Sequence, residues 1–164
     1  MVLNQQDRVS VDLPGLRGFV NRLRRAAQLG RREFNVCLVN DEEIRRLNAI
    51  YRGKPRPTDV LSFPWQADSD GPGKGHDRAE FGNFLGDVVI SVETARNNAR
   101  VEAHSTLNEL RWLILHGVLH LLGYDHENDD GEMNRLELSL REELGIAACP
   151  RRRKPRRRRR VRHE

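Results

Sequence analysis

The residues best equipped for chemistry are three histidines in the segment His116-Gly-Val-Leu-His120-Leu-Leu-Gly-Tyr-Asp-His126. The first two stand four residues apart in an apolar run, Leu110 to Leu122, whose length and composition predict a helix. A helical turn takes about 3.6 residues, so His116 and His120 project from one face, one above the other. Gly123 follows as a helix-ending residue, because glycine enters the left-handed conformation without a side-chain clash. The chain can turn back there and bring His126 toward the first two rings. Three neutral imidazoles converging on one point, with a fourth position open, is the arrangement of a catalytic zinc site. Imidazole also suits iron, nickel and copper, but zinc is the metal it favours. The spacing therefore predicts one Zn2+ ion on His116, His120 and His126.

The same intervals occur in zinc proteases of the metzincin type, H-E-x-x-H-x-x-G-x-x-H, with His116, His120, Gly123 and His126 at the matching places. The Glu that serves those enzymes as general base is replaced by Gly117. Peptide hydrolysis needs a group that takes a proton from the attacking water and delivers it to the leaving amine. Glycine cannot do this, so the metal pattern is kept while a different reaction is favoured. A lone histidine on an apolar helix face is ordinarily a hydrogen-bonded core residue. A second on the same face and a third beyond a glycine stop argue against that reading here. Asp125 and Glu127 flank His126; a solvated loop position is their default, and support of a ligand imidazole is the alternative.

A chain of 164 residues has room for one domain with a real core. The start, Met1 to Leu13, is polar and carries Asp7, Arg8 and Asp12, unlike a secretory signal. No apolar stretch reaches membrane-spanning length. Two cysteines, Cys37 and Cys149, do not make a disulfide framework and fit a reducing compartment. A soluble, cytoplasmic protein without membrane contact is expected. The formal charge of +5 conceals two regions. Residues 151–164 hold ten Lys or Arg and one acid, while the remainder has 19 basic and 23 acidic residues, a net of −4. The organisation expected is thus a folded domain over 1–148 and a disordered, Arg-rich tail over 149–164. Such a tail suits a polyanion, RNA or DNA, held by counterion release and without sequence preference.

The elements that must position the histidines can be read in order. Arg8 to Leu13 alternates as a half-buried strand does. Leu16, Phe19, Val20, Leu23, Ala26 and Ala27 recur at helical spacing and stop at Gly30. Phe34 to Val39 reads as a strand, and Asn40 or Asp41 caps a helix through Ile50. Val60 to Phe63 and Phe84 to Ser91 are further strands, separated by a Gly- and Asp-rich loop over 66–83. Val92 to Arg100 is helical, Thr106 with Glu109 suggests a capping box for the histidine helix, and a last helix begins near Asp130 and ends at Gly145. The fold class expected is α+β: a mixed four-stranded sheet covered by helices, with a central buried helix carrying the histidines.

A second loop, Tyr51 to Pro64, sets Arg52, Lys54 and Arg56 among prolines. Arginine grips phosphate oxygens with a bidentate fork and lysine as a point charge; a turn whose charges face water is the alternative. Asp59 and Asp87 read as cap or turn acceptors, and His76 and His104 as solvated histidines, with a loop histidine available as a fourth ligand.

The histidine segment, Pro57-Thr-Asp-Val-Leu-Ser-Phe-Pro64, Leu85-Gly-Asp-Val-Val-Ile-Ser91 and Leu47-Asn-x-x-Tyr-Arg52 together resemble the bacterial YbeY family, as do Met133 and Glu137. The likeness spans about residues 7–146, and the basic tail departs from it. It implies a single-strand-specific, zinc-dependent endoribonuclease acting in maturation of the 3′ end of 16S ribosomal RNA and in ribosome quality control. Its partners would be ribosomal RNA and proteins of the small ribosomal subunit, with no DNA specificity. The resemblance carries His116, His120 and His126 over as zinc ligands, His116 and Arg52 as catalytic residues. In that scheme zinc polarises a phosphodiester oxygen or activates water, and Arg52 stabilises charge building on phosphorus. Water and the 2′-hydroxyl of RNA both remain open as nucleophile. Two other classes stand beside it: a metalloprotease-like hydrolase, opposed by Gly117, and a non-catalytic ribosome assembly factor using zinc to hold its fold. Structural zinc sites close the fourth position with Cys or His, and neither cysteine lies near the motif.

Overall fold

A computed structural model describes residues 1–65, 82–125 and 129–148. Helices begin where the chain offers a side-chain acceptor to the orphan amides of a first turn. Asp12 accepts from the Gly15 amide at α1 (Leu13–Ala26) and Asn40 from that of Glu43 at α2 (Asp41–Arg52). Ser91 accepts from the Thr94 amide at α3 (Val92–Val101), and Ser105 from that of Asn108 at α4 (Thr106–Leu121). Asp129 accepts from the amides of Gly131 and Met133 at the head of α5 (Glu132–Leu144). Four strands, β1 (Val2–Asn4), β2 (Glu33–Val39), β3 (Val60–Pro64) and β4 (Phe84–Ser91), form one sheet in the order β1-β2-β4-β3. The first three run parallel and β3 runs antiparallel to β4. The class is α+β with a mixed four-stranded sheet, as expected.

Strand alternation sends side chains to two faces. Phe34, Val36, Leu38, Val88 and Ile90 point into the larger core with α1, α3, α4 and α5. Val39, Leu61 and Val89 pack instead with Ile44 and Leu47 of α2, so both faces are covered. The histidine helix α4 is the centre of the larger core. It buries Leu110, Leu113, Ile114, Leu115, Val118 and Leu119, and touches α1, α3, α5, β3 and β4. A helix apolar nearly all round belongs in such a place. Cys37 is a free thiol on β2, and burial followed by the charge of Asp87 raises its pKa. Among the described residues no helix is long and apolar enough to cross a membrane.

Four expectations need correction. Arg8 to Leu13 is not a strand; the first strand is Val2–Asn4, which pairs Val2 with Val36 and Asn4 with Leu38. Gln6 explains the difference: its side-chain oxygen accepts from the amides of Arg8 and Val9, and its nitrogen donates to the Val9 carbonyl. Those bonds satisfy locally the backbone groups that a ladder would have used. Helix α1 ends at Ala26, with Gln28 already left-handed at φ 52, before Gly30. The cap of α4 is Ser105, one residue earlier than the proposed capping box, and Glu109 pairs with His104. His104 is accordingly not solvated: its side chain is 10% exposed and its Nε2 lies 3.0 Å from Glu109 Oε2. The loop segment 66–81, with His76, and the tail 149–164, with Cys149, lie outside the described residues.

Candidate active site

The polar face of α4 opens on a cleft of about 810 Å³. Its walls are the end of α2 with Tyr51 and Arg52, the segment Thr58 to Pro64, and His116, His120, Gly123, Tyr124 and Asp125. One turn of helix brings His116 Nε2 and His120 Nε2 to 3.1 Å from each other. Two imidazole nitrogens this close need something positive between them, a shared hydrogen or a metal ion. Nitrogens bound to one tetrahedral zinc at about 2.0–2.1 Å stand about 3.3 Å apart, so the pair fits a zinc ion with a shift of a few tenths of an ångström.

The orientation of His116 is set from behind. Its Nδ1 lies 3.7 Å from Glu137 Oε1, a buried carboxylate on α5. At this separation the two groups are in contact without a hydrogen bond. A carboxylate beside one ring nitrogen favours the hydrogen there and leaves the other nitrogen's lone pair for a cation, the usual support of a metal-bound histidine. Trp112, one turn earlier on α4, stacks on the His116 ring with centroids 5.2 Å apart and planes inclined by 21°. In the sequence Glu137 stood out only through the family likeness. Its partnership with His116 joins residues from two helices and has no local signal.

After α4 the chain reverses as Gly123 predicted. Gly123 takes φ 93, its amide bonds the His120 carbonyl, and the Tyr124 amide bonds that of Leu119. Asp125 lines the cleft, so the chain reaches it one residue before His126. His126 and Glu127 themselves lie outside the described residues. Among the described residues no group of three His, Cys, Asp or Glu side chains forms a metal centre, so the histidine pair is the part of the predicted triad that the structure brings together.

Gly117 has a role beyond the missing acid. A Cβ there would lie 2.5 Å from Val88 Cγ1 and 3.2 Å from Ser62 Oγ. The Ser62 hydroxyl donates to the Gly117 carbonyl at 3.0 Å, tying α4 to β3. Position 117 faces the sheet rather than the cleft and has no room for the protease's Glu. Close approach of backbone to strand requires glycine, and that approach places the histidines over β3.

Of the three basic residues expected in the loop, Arg52 belongs instead to the end of α2 and lines the cleft, while Lys54 and Arg56 are exposed outside it. Arg52 ends α2, where Gly53 at φ 65 caps the helix, and Asn48 Nδ2 donates to the Arg56 carbonyl to hold the loop. Its guanidinium makes no hydrogen bond or ion pair among the described residues, so its donors remain available to a ligand. Asp59 also borders the cleft, and its carboxylate accepts from the Val60 amide and from Asn98 Nδ2, as a turn acceptor does. Asp87 accepts from Asn35 across the β2–β4 pair.

Fold and site together define an α+β protein with an imidazole- and arginine-lined cleft beside an antiparallel edge strand. The family model described as endoribonuclease YbeY matches residues 2–145. The endoribonuclease YbeY of Sulfurovum sp. (strain NBC37-1) is 38% identical over 144 residues, covering 88% of this chain and 90% of its own length. That of Heliobacterium modesticaldum (strain ATCC 51547 / Ice1) is 45% identical over 117 residues, covering 70% of each. A Thermotoga maritima protein solved in solution shares the fold with a TM-score of 0.59 and 27% identity, over 93% of this chain and 100% of its own. The chain belongs to the endoribonuclease YbeY family.

Proposed function

We propose that the protein is a zinc-dependent endoribonuclease that cuts single-stranded RNA, acting in the cytoplasm on the 3′ end of 16S ribosomal RNA and in ribosome quality control. Its partners on this reading are ribosomal RNA and proteins of the small subunit. The observation that carries the reading is the approach of His116 Nε2 and His120 Nε2 in a cleft that Arg52 also lines. His116, His120 and His126 hold the metal. Zinc, when bound, supplies Lewis acidity and lowers the pKa of the attacking group. Glu137 beside its Nδ1 and Trp112 stacked on its ring flank His116 and favour Nε2 as the nitrogen turned to the metal. Arg52 grips the non-bridging phosphate oxygens and opposes the charge that builds on phosphorus. Residues 1–148 form the catalytic domain, and the Arg151 to Arg162 run holds RNA through phosphate contacts without choosing its sequence.

The test is metal analysis together with a single-stranded RNA cleavage assay on the parent, His120→Ala and Arg52→Ala proteins. His120→Ala should lose metal and activity together. Arg52→Ala should keep its metal and cleave about 100-fold more slowly. An Arg52→Ala protein that cleaves at the parental rate would remove Arg52 from the mechanism. Zinc-independent cleavage by the parent would overturn the metal assignment. Deleting residues 151–164 should weaken RNA binding and flatten its salt dependence.

A further inference from the structure

Six large apolar side chains stand exposed among the described residues: Met1, Ile50, Tyr51, Trp65, Val101 and Leu138. Of these, Tyr51 lines the cleft. It is 65% exposed, so both faces of its ring cannot be covered. Phe63 of β3 meets it edge to face, with centroids 4.9 Å apart and planes at 67°, which fixes the ring without hiding it. The backbone beneath is equally set, by the left-handed Gly53 cap and the bond from Asn48 to the Arg56 carbonyl. A rigid aromatic plane thus stands beside Arg52, whose guanidinium is available to phosphate.

We propose that Tyr51 is a stacking subsite for one unpaired nucleobase, next to the phosphate that Arg52 holds, and that this contact selects single strands. The inference rests on the RNA-cleaving reading above and adds to it how the strand is recognised. Every base offers a π face, so stacking on an aromatic side chain tolerates sequence. A base inside a duplex is covered on both faces by its neighbours, whereas a base in a single strand can splay onto a protein ring. Arg52 alone would not make this distinction, because phosphates are exposed in both. A stacking partner beside a phosphate clamp does.

The experiment compares the parent, Tyr51→Phe and Tyr51→Ala proteins for cleavage of a single-stranded RNA and, separately, for its Kd by fluorescence anisotropy. A matched RNA lacking the base beside the cut is run in parallel. The ring is exposed, so both variants should fold, and circular dichroism checks this. Tyr51→Ala should raise KM and Kd about tenfold, with kcat changed less than about threefold. Tyr51→Phe, which keeps the ring, should stay within about twofold of the parent. Removing the base should weaken the parent to the level of Tyr51→Ala and cost that variant nothing more. Unchanged KM and Kd in Tyr51→Ala, with cleavage intact, overturn the subsite and leave the RNA reading standing. A loss in Tyr51→Ala that persists undiminished on the RNA lacking the base overturns it too, and assigns the ring to a sugar or to protein. Parental binding without cleavage keeps the stack and sinks the endoribonuclease reading; neither binding nor cleavage sinks both.

Discussion

Two histidines, one just ahead of α4 and one within it, each meet a buried carboxylate, and they differ in what is left over. His104, just ahead of the helix, places Nε2 3.0 Å from Glu109 Oε2 and Nδ1 3.0 Å from the Ser105 carbonyl. Both its ring nitrogens face oxygen acceptors. His116 puts Nδ1 toward Glu137 and turns Nε2 into the cleft, toward His120. The first arrangement consumes the imidazole in tying down the start of α4. The second leaves one nitrogen turned into the cleft, where the proposed metal would sit. A histidine's function is therefore read from its second nitrogen, and a carboxylate partner alone does not distinguish the two.

The contrast can be broken by substitution. His120→Ala should show the largest effect, a fall in RNA cleavage and bound zinc beyond the roughly 100-fold that loss of a ligand's supporting partner produces, with the thermal midpoint of the metal-free protein little changed. A His120→Ala protein that keeps both metal and cleavage would make the cleft pair structural, like His104. Glu137→Gln should lower zinc affinity or cleavage about 10- to 100-fold, measured by competition with a chelator and by initial rates. If Glu137→Gln instead lowers stability alone, the carboxylate behind His116 does what Glu109 does behind His104. Gly117→Ala drives a methyl group toward Val88 and should cost about 1–3 kcal/mol in chemical denaturation, with cleavage falling as α4 is pushed off β3. His104→Ala leaves Glu109, 2% exposed, without this partner. It should cost about 1–3 kcal/mol of stability while cleavage per folded molecule stays within about twofold of the parent. Loss of metal in His104→Ala would join the two pairs into one system and end the distinction.

Much of the site was legible because it is local. His116, His120 and Gly123 lie within eight consecutive residues, and helix geometry fixes how such residues face one another. Of the two caps the sequence offered for α2, Asn40 or Asp41, the structure uses Asn40, and the apolar run of α4 placed that helix in the core. The misreadings came where a side chain competes for nearby groups that the hydrophobic pattern does not register, or where a strand is too short to show a period. Arg8 to Leu13 alternates like a strand, but Gln6 takes the amides of Arg8 and Val9, while Val2–Asn4, too short to show a period, finds a parallel partner in β2. His104 looked solvated because Glu109 lies five residues on, across the start of a helix whose cap sits one residue earlier than the motif suggested.

The amino-acid sequence by itself determined the class of the fold, the shared face of His116 and His120 and the turn at Gly123. These follow from backbone geometry over a few residues, which no distant contact overrides. Only the tertiary structure decided that Arg52 and not Lys54 or Arg56 enters the cleft, that Glu137 stands behind His116, and that Tyr51 is held open by Phe63. It also decided why position 117 is glycine: the helix must come within reach of Ser62 and Val88 for the histidines to lie over β3. Each of those facts joins residues from separate elements, and their meeting depends on how the sheet registers and how α4 packs upon it, which spacing along the chain does not encode.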